Sequence, residues 1–90
     1  MKKPRISVVI PAYNCERLIA ETLSHIEWQT VQANEVIVVD DGSDDSTYSV
    51  ASKHDVDIIL NESNQGIGFS RMTGCHFAKG SHIAFCSADD

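Results

Sequence analysis

The sequence predicts an α/β fold: a mostly parallel sheet of four strands with helices on both faces. Three observations predict it. Short β-branched apolar runs alternate with longer segments of helical period, in the order β-α-β-α-β-α-β. The first runs are apolar almost throughout, as strands covered on both faces are. Clusters of acids, prolines and glycines follow the runs at their C-terminal ends, which is where ligands of such sheets bind.

The elements follow in order. Ile6 to Ile10 is a β-branched run with one serine, and Pro11 should stop it. Leu18, Ile19, Thr22, Leu23 and Ile26 recur at helical spacing and predict a helix from about Glu16 to Trp28. Val36 to Val39 is the second buried strand. Asp45, ahead of Ser46-Thr47, is placed to cap a second helix with Val50, Ala51 and His54 on one face. Val56 to Leu60 reads as a third strand despite the interruption at Asp57. Gly66 to Lys79 holds Phe69, Met72 and Phe77 and reads as a third helix, with Gly80 as its C-terminal stop. His82 to Cys86 is the fourth strand. No repeat, low-complexity segment or linker interrupts the series.

Composition narrows the partners. Ninety residues make one small domain with a modest core. Seven basic and thirteen acidic side chains give a net charge of −6, which argues against a nucleic-acid backbone or an anionic membrane surface as the main partner. A phosphorylated ligand stays open, because a cation held by carboxylates reverses the local sign. The three cysteines form no CxxC pair, and the basic start Met1 to Arg5 precedes an apolar run too short for a signal peptide or a span. The expectation is a cytoplasmic protein with reduced thiols, with a peripheral place at the inner membrane face as the variant.

The acids are not spread evenly. Asp40, Asp41, Asp44 and Asp45 follow the second strand, and Asp89-Asp90 follow the fourth. With Pro11-Ala12-Tyr13-Asn14 after the first strand, these clusters should meet along one rim, joined by Asn61 to Gly66 after the third. Carboxylates at separate strand ends suit a divalent cation bridging phosphate oxygens, or hydroxyl and N–H donors of a ribose and a base. Tyr13 offers an aromatic face, and Gly42 and Gly66 let backbone approach a ligand. Read blandly, Asp44 and Asp45 are helix-terminus acids and Asp40 only holds its loop.

The segments ISVVIPAYN, EVIVVDDGSDDST, NESNQGIGFSRMTG and AKGSHIAFCSADD together resemble the opening half of a family 2 glycosyltransferase with the Rossmann-like GT-A fold. The resemblance runs from Ile6 to Asp90. It implies that residues 1–90 are a nucleotide-sugar-binding half whose acceptor-binding half is absent. Pro11, Ala12 and Tyr13 match the loop against base and ribose, Asp41 the carboxylate that accepts from the base, and Asp40 its neighbour. Arg71 falls in a helix that carries a basic residue near the nucleotide. Asp89 and Asp90 match the acidic motif: one faces the ribose, the other holds the Mn2+ or Mg2+ that bridges the diphosphate. The implied activity is inverting sugar transfer in polysaccharide biosynthesis, from a UDP-sugar for preference, to a glycan or lipid-linked acceptor.

Two departures and one gap accompany the resemblance. Ser87 stands where the family has another aspartate, and Met72 where it has an asparagine. The general base that such transfer needs is expected beyond Asp90, so no residue of this chain is assigned as catalytic and the chain alone should be inactive. The histidines give no substitute, since none has metal-ligand spacing to another. An oxidoreductase is excluded because PAYNCE lacks the GxGxxG turn. A phospho-acceptor signalling domain is excluded because the acids follow strands two and four and no distal lysine is present. A non-catalytic nucleotide-binding or assembly module remains the alternative. An unpaired fourth strand predicts a homodimer through that edge.

Overall fold

The computed structural model describes residues 5–28 and 33–87. It contains β1 (Ile6–Ala12), α1 (Glu16–Glu27), β2 (Glu35–Asp40), α2 (Thr47–Ala51), β3 (Asp57–Leu60), α3 (Ile67–Phe77) and β4 (His82–Phe85). The strands form one sheet in the order β3-β2-β1-β4, and every pairing is parallel. The central pair, β1 and β2, carries the longest apolar runs, and the shorter β3 and β4 lie at the edges.

Alternate residues of the central strands feed two cores. Ile10, Ala12 and Val38 pack with Ile19 and Leu23 of α1 and Ala51 of α2 on one face. Val9, Ile37 and Val39 form the core of the other face, with Ile59 and Ala78 against them. Ile10, Ile19 and Leu23 are fully or almost fully buried, each a gain of about 1.5–3 kcal/mol over exposure. α3 lies on the second face and approaches closely because Gly74 faces Val9: a Cβ there would lie 2.2 Å from Val9 Cγ1.

Four local expectations are corrected. β1 does not stop at Pro11 but pairs through it, Pro11 beside Val39 and Ala12 beside Asp40. β4 is paired with β1 only as far as Val9, so beyond that point β1 has one partner strand and tolerates the missing N–H. α2 is a five-residue helix that ends before His54. The His54 ring instead meets Glu27 at 2.6 Å, joining the ends of α1 and α2. Gly80 is not the helix stop, since α3 ends at Phe77. What needs glycine there is space: a Cβ would lie 2.5 Å from Ser7 Oγ and 2.6 Å from Arg5 O. α3 also turns its small residues inward. Ser70 and Gly74 are buried, while Phe69, Met72 and Phe77 are exposed.

β4 is an open edge among the described residues, and all four of its residues are exposed, Ile83 by 40% and Phe85 by 49%. The N-terminal ends of β1 and β2 are closed by polar bonds. Ser7 Oγ donates to Glu35 Oε1 at 2.6 Å and accepts from Gly80 N at 2.8 Å, and Lys79 N also donates to Glu35 Oε1. The Glu35 carboxyl is held below its ordinary value, first by the Lys79 N–H and then by Ser7.

Candidate functional site

At the C-terminal ends of β1 and β2 the chain encloses a cavity of about 190 Å3. Pro11, Ala12, Tyr13 and Cys15 supply one wall, Asn64, Gly66, Ile67 and Ser70 another, and Asp41 lies between them. The parallel order puts this cavity where it is, because β1, β2 and β3 all end on one rim.

The wall from β1 is fixed by a lattice of caps. Asn14 takes the left-handed conformation at φ 46°, its N–H donates to Ser43 Oγ, and its Oδ1 accepts from Asp44 N. Asp45 serves two helix starts: Oδ1 accepts from Thr47 N and Oδ2 from Glu16 N. Glu16 returns the bond by accepting from Ser46 N, and Cys15 N donates to Thr47 Oγ1. The N-cap residue of α2 is Ser46 rather than Asp45 as expected, and Asp45 one position earlier accepts from the first N–H of each helix. These bonds lower the Asp45 pKa: burial raises it, and the bonds from Thr47 and Glu16 outweigh that.

Asp41 builds the other wall. The side chain is 4% exposed. Oδ1 accepts from Asn61 Nδ2 at 2.9 Å and from Gln65 N at 2.8 Å, and Oδ2 accepts from Gly66 N at 2.8 Å. Burial raises its pKa, but the bonds from Asn61, Gln65, Gly66 and Ser70 together outweigh burial and hold it below the ordinary value. The carboxylate is therefore ionised at neutral pH and accepts only.

Two glycines make this arrangement feasible. Gly42 has φ 74°, and a Cβ on it would lie 2.7 Å from Ser63 C, so the β2–α2 loop touches the β3–α3 loop backbone to backbone. Gly66 has φ 97° at the start of α3 and faces open space.

The sequence-derived residues are partly brought together. Pro11, Ala12, Tyr13 and Asp41 line the cavity. Asp40 does not: it is 1% exposed, its Oδ1 accepts from Ser43 N at 3.0 Å, and its Oδ2 has no hydrogen-bond partner among the described residues. Its role in the structure is to hold the turn. Arg71 is not a lining residue either; its guanidinium lies 5.7 Å from the centre of the Phe85 ring. Asp89 and Asp90 lie outside the described residues. Among the described residues no cluster of three or more His, Cys, Asp or Glu could hold a metal. Sequence reasoning missed Cys15, Ile67 and Ser70 as lining residues and Asn61 as a partner of Asp41. The polar Asn61 directly after an apolar strand was the available signal.

Comparison with known proteins agrees with this fold. Residues 7–90 match the family described as Glycosyl transferase family 2. The chain belongs to that family. Among curated relatives it is 36% identical over 88 residues to the Escherichia coli UDP-Glc:alpha-D-GlcNAc-diphosphoundecaprenol beta-1,3-glucosyltransferase WfaP, covering 94% of this chain and 35% of that protein. The crystal structure of S. aureus TarS 1-349 in complex with UDP-GlcNAc superposes with a TM-score of 0.87 at 32% identity, over 94% of this chain and 26% of that one. The Pyrobaculum calidifontis mannosyltransferase PcManGT, solved with GDP-Man and Mn2+, superposes with a TM-score of 0.83 at 32% identity, over 98% of this chain and 28% of that one. The family 2 chain described here therefore has the GT-A type of α/β fold and spans about a third or less of these relatives' lengths.

Proposed function

We propose that this chain is the donor-binding half of a glycosyltransferase and takes a nucleoside-diphosphate sugar in the cavity at the strand ends. The observation that carries the reading is Asp41: a buried, ionised carboxylate on the cavity wall. An acceptor-only group there suits the ring N–H of a base. Tyr13, half exposed beside it, supplies an aromatic face, and Pro11 and Ala12 complete the wall. Uracil carries the required N–H, and a UDP-sugar is the favoured donor. Guanine meets the same test, so GDP is the natural comparison.

The diphosphate needs positive charge that the cavity lining does not provide. Asp89 and Asp90, hard oxygen donors directly after the last strand, are proposed to hold Mn2+ or Mg2+. When bound, the cation stabilises the charge that develops on the leaving diphosphate. Asp41 and the β1 loop orient the nucleoside, while the general base and the surface for a glycan or lipid-linked acceptor are proposed to come from outside these residues. Inversion at the sugar carbon and a cytoplasmic or peripheral inner-membrane location belong to the same proposal.

Titration calorimetry with UDP tests it. The expected result is weak binding with Mn2+ that falls at least about tenfold in excess chelator, since a diphosphate beside two carboxylates is repelled without the cation. Equal affinity with and without metal would remove Asp89 and Asp90 from the site.

A homodimer through β4 is proposed on separate grounds. The exposed edge carries Ile83 and Phe85, and the Arg71 guanidinium of α3 reaches the Phe85 ring. Unpaired apolar edges are templates for another chain. Sedimentation over a concentration series should show self-association, weakened by Phe85→Glu. A strictly monomeric species at high concentration would contradict it.

A further inference from the structure

α3 carries its apolar bulk on the side that faces away from the sheet. Ser70 and Gly74 are its buried residues, so the helix rests on the strands through its smallest side chains. Phe69, Met72 and His76 lie across the helix from them. With Thr73 and Phe77 they line a shallow hollow of about 280 Å3. Phe69 is 49% exposed, Met72 73% and Phe77 55%. Single exposed apolar side chains need no explanation, but a contiguous group on one helix face does.

The charge of the chain is divided rather than spread. No carboxylate occurs from Met1 to Cys15 or from Ser63 to Ala88, yet these two stretches carry five of the seven basic side chains. All thirteen acids, with only Arg17 and Lys53, belong to the rest. The fold sets the two acid-free stretches side by side. β4 pairs with β1, Arg5 N donates to Ser81 Oγ, and Gly74 of α3 rests on Val9. Arg71 and Lys79, on α3 and just after it, are both exposed. The face stops toward β3, where Glu35 and Asp57 adjoin Phe77 and Lys79. The net charge of −6 therefore understates what this side offers an anion, since exposed charges more than about 8 Å away are largely screened at physiological salt.

We propose that the outer face of α3 is a membrane-contact surface for a bilayer that contains anionic lipid. Phe69, Met72 and Phe77 enter the boundary between headgroups and acyl chains, while Arg71 and Lys79 meet the lipid phosphates. A bilayer fits because it presents both properties at once, anionic groups above an apolar layer. The composition argument against an anionic membrane holds for the chain as a whole and fails for this face. The surface gives the peripheral location proposed above its physical means, and it does not depend on the nucleotide cavity. A second copy docking one of its acidic stretches here is the competing occupant.

Co-sedimentation with vesicles, in chelator and without nucleotide, tests it. The vesicles are phosphatidylcholine alone and an equimolar mixture with phosphatidylglycerol. The chain should bind the mixture about tenfold or more tighter, and high salt should remove the difference. Arg71→Gln and Lys79→Gln should each weaken binding to the mixture by roughly fivefold. Phe69→Ser combined with Met72→Ser should weaken it about tenfold or more. Tyr48→Ser, at an exposed position of α2, should change it less than about twofold. Thermal melting checks that each variant is folded, which the exposure of Phe69 and Met72 leads us to expect. Equal binding to the two compositions, binding to neither, or unchanged binding of the folded double serine variant would overturn the proposal. Sedimentation velocity without vesicles addresses the other occupant. If the double serine variant dissociates a wild-type dimer and leaves vesicle binding intact, the face belongs to a second copy and the membrane contact is wrong. Because nucleotide and metal are absent, these results stand whether or not the cavity takes a sugar donor.

Discussion

Asp41→Ala is expected both to abolish measurable nucleotide binding and to destabilise the fold. From the sequence, a rim-loop carboxylate should be removable with the fold largely intact. The structure gives the opposite expectation, because Asp41 is buried and three donors converge on it. Its removal leaves the N–H groups of Gln65 and Gly66 and the Asn61 amide without their acceptor. One charge-assisted bond lost and other donors stranded cost about 3 kcal/mol. For a domain of this size that lowers the melting temperature by roughly 10–20 °C. Asp41→Asn separates the two effects. It keeps the volume but turns one acceptor into a donor, so it should lose UDP affinity while unfolding less readily than Asp41→Ala. Melting of Asp41→Ala at the wild-type temperature would show that the β3–α3 loop is held by other means.

The same carboxylate predicts acid sensitivity. Its folded pKa is depressed, so its contribution to stability is complete above the unfolded value and is lost as pH falls below about 4, toward the folded value. Asp45 and Glu35 are depressed too and should act in the same window.

Gly42→Ala is the second large effect. A side chain at φ 74° carries backbone strain of about 1–2 kcal/mol. The added Cβ also meets the backbone of Ser63 and Asn64 at 2.7–2.9 Å, and no side chain there can swing aside. Together these should cost on the order of 2–4 kcal/mol and push the β3–α3 loop away from the cavity. Gly66→Ala is the control, since it is strained in φ but has open space for the Cβ. Urea unfolding should show a large drop in midpoint for Gly42→Ala and a smaller one for Gly66→Ala. Equal drops would mean that the contact between the loops does not matter.

Much of this was legible in the sequence because it is local. The Val and Ile runs of β1 and β2 have one reasonable home in a parallel sheet, and the helical spacing from Leu18 to Ile26 gave α1 to within a residue of its end. The parallel order then put PAYN and DDGS on one rim without any contact being known. What was not legible depends on distant parts of the chain. Phe69, Met72 and Phe77 look like the inner face of α3, yet the inward residues are Ser70 and Gly74, because the sheet beneath approaches closely at Val9. Asp40 and Asp41 are indistinguishable in sequence. Only the fold turns one to its own turn at Ser43 and the other to Gln65 and Gly66, some 24 and 25 residues away.

The central claim is that the cavity bounded by the β1 loop, Asp41 and the start of α3 receives the nucleoside of a sugar donor. Backbone amide NMR during titration with UDP and Mg2+ tests it most directly. The account predicts that the amides of Tyr13, Cys15, Asp41, Gly66 and Ser70 shift together with one affinity, while those of Glu35, Lys79 and Gly80 at the far end of the sheet stay still. Shifts confined to the exposed faces of α3 and β4, or none around Asp41 at saturating nucleotide, would contradict it.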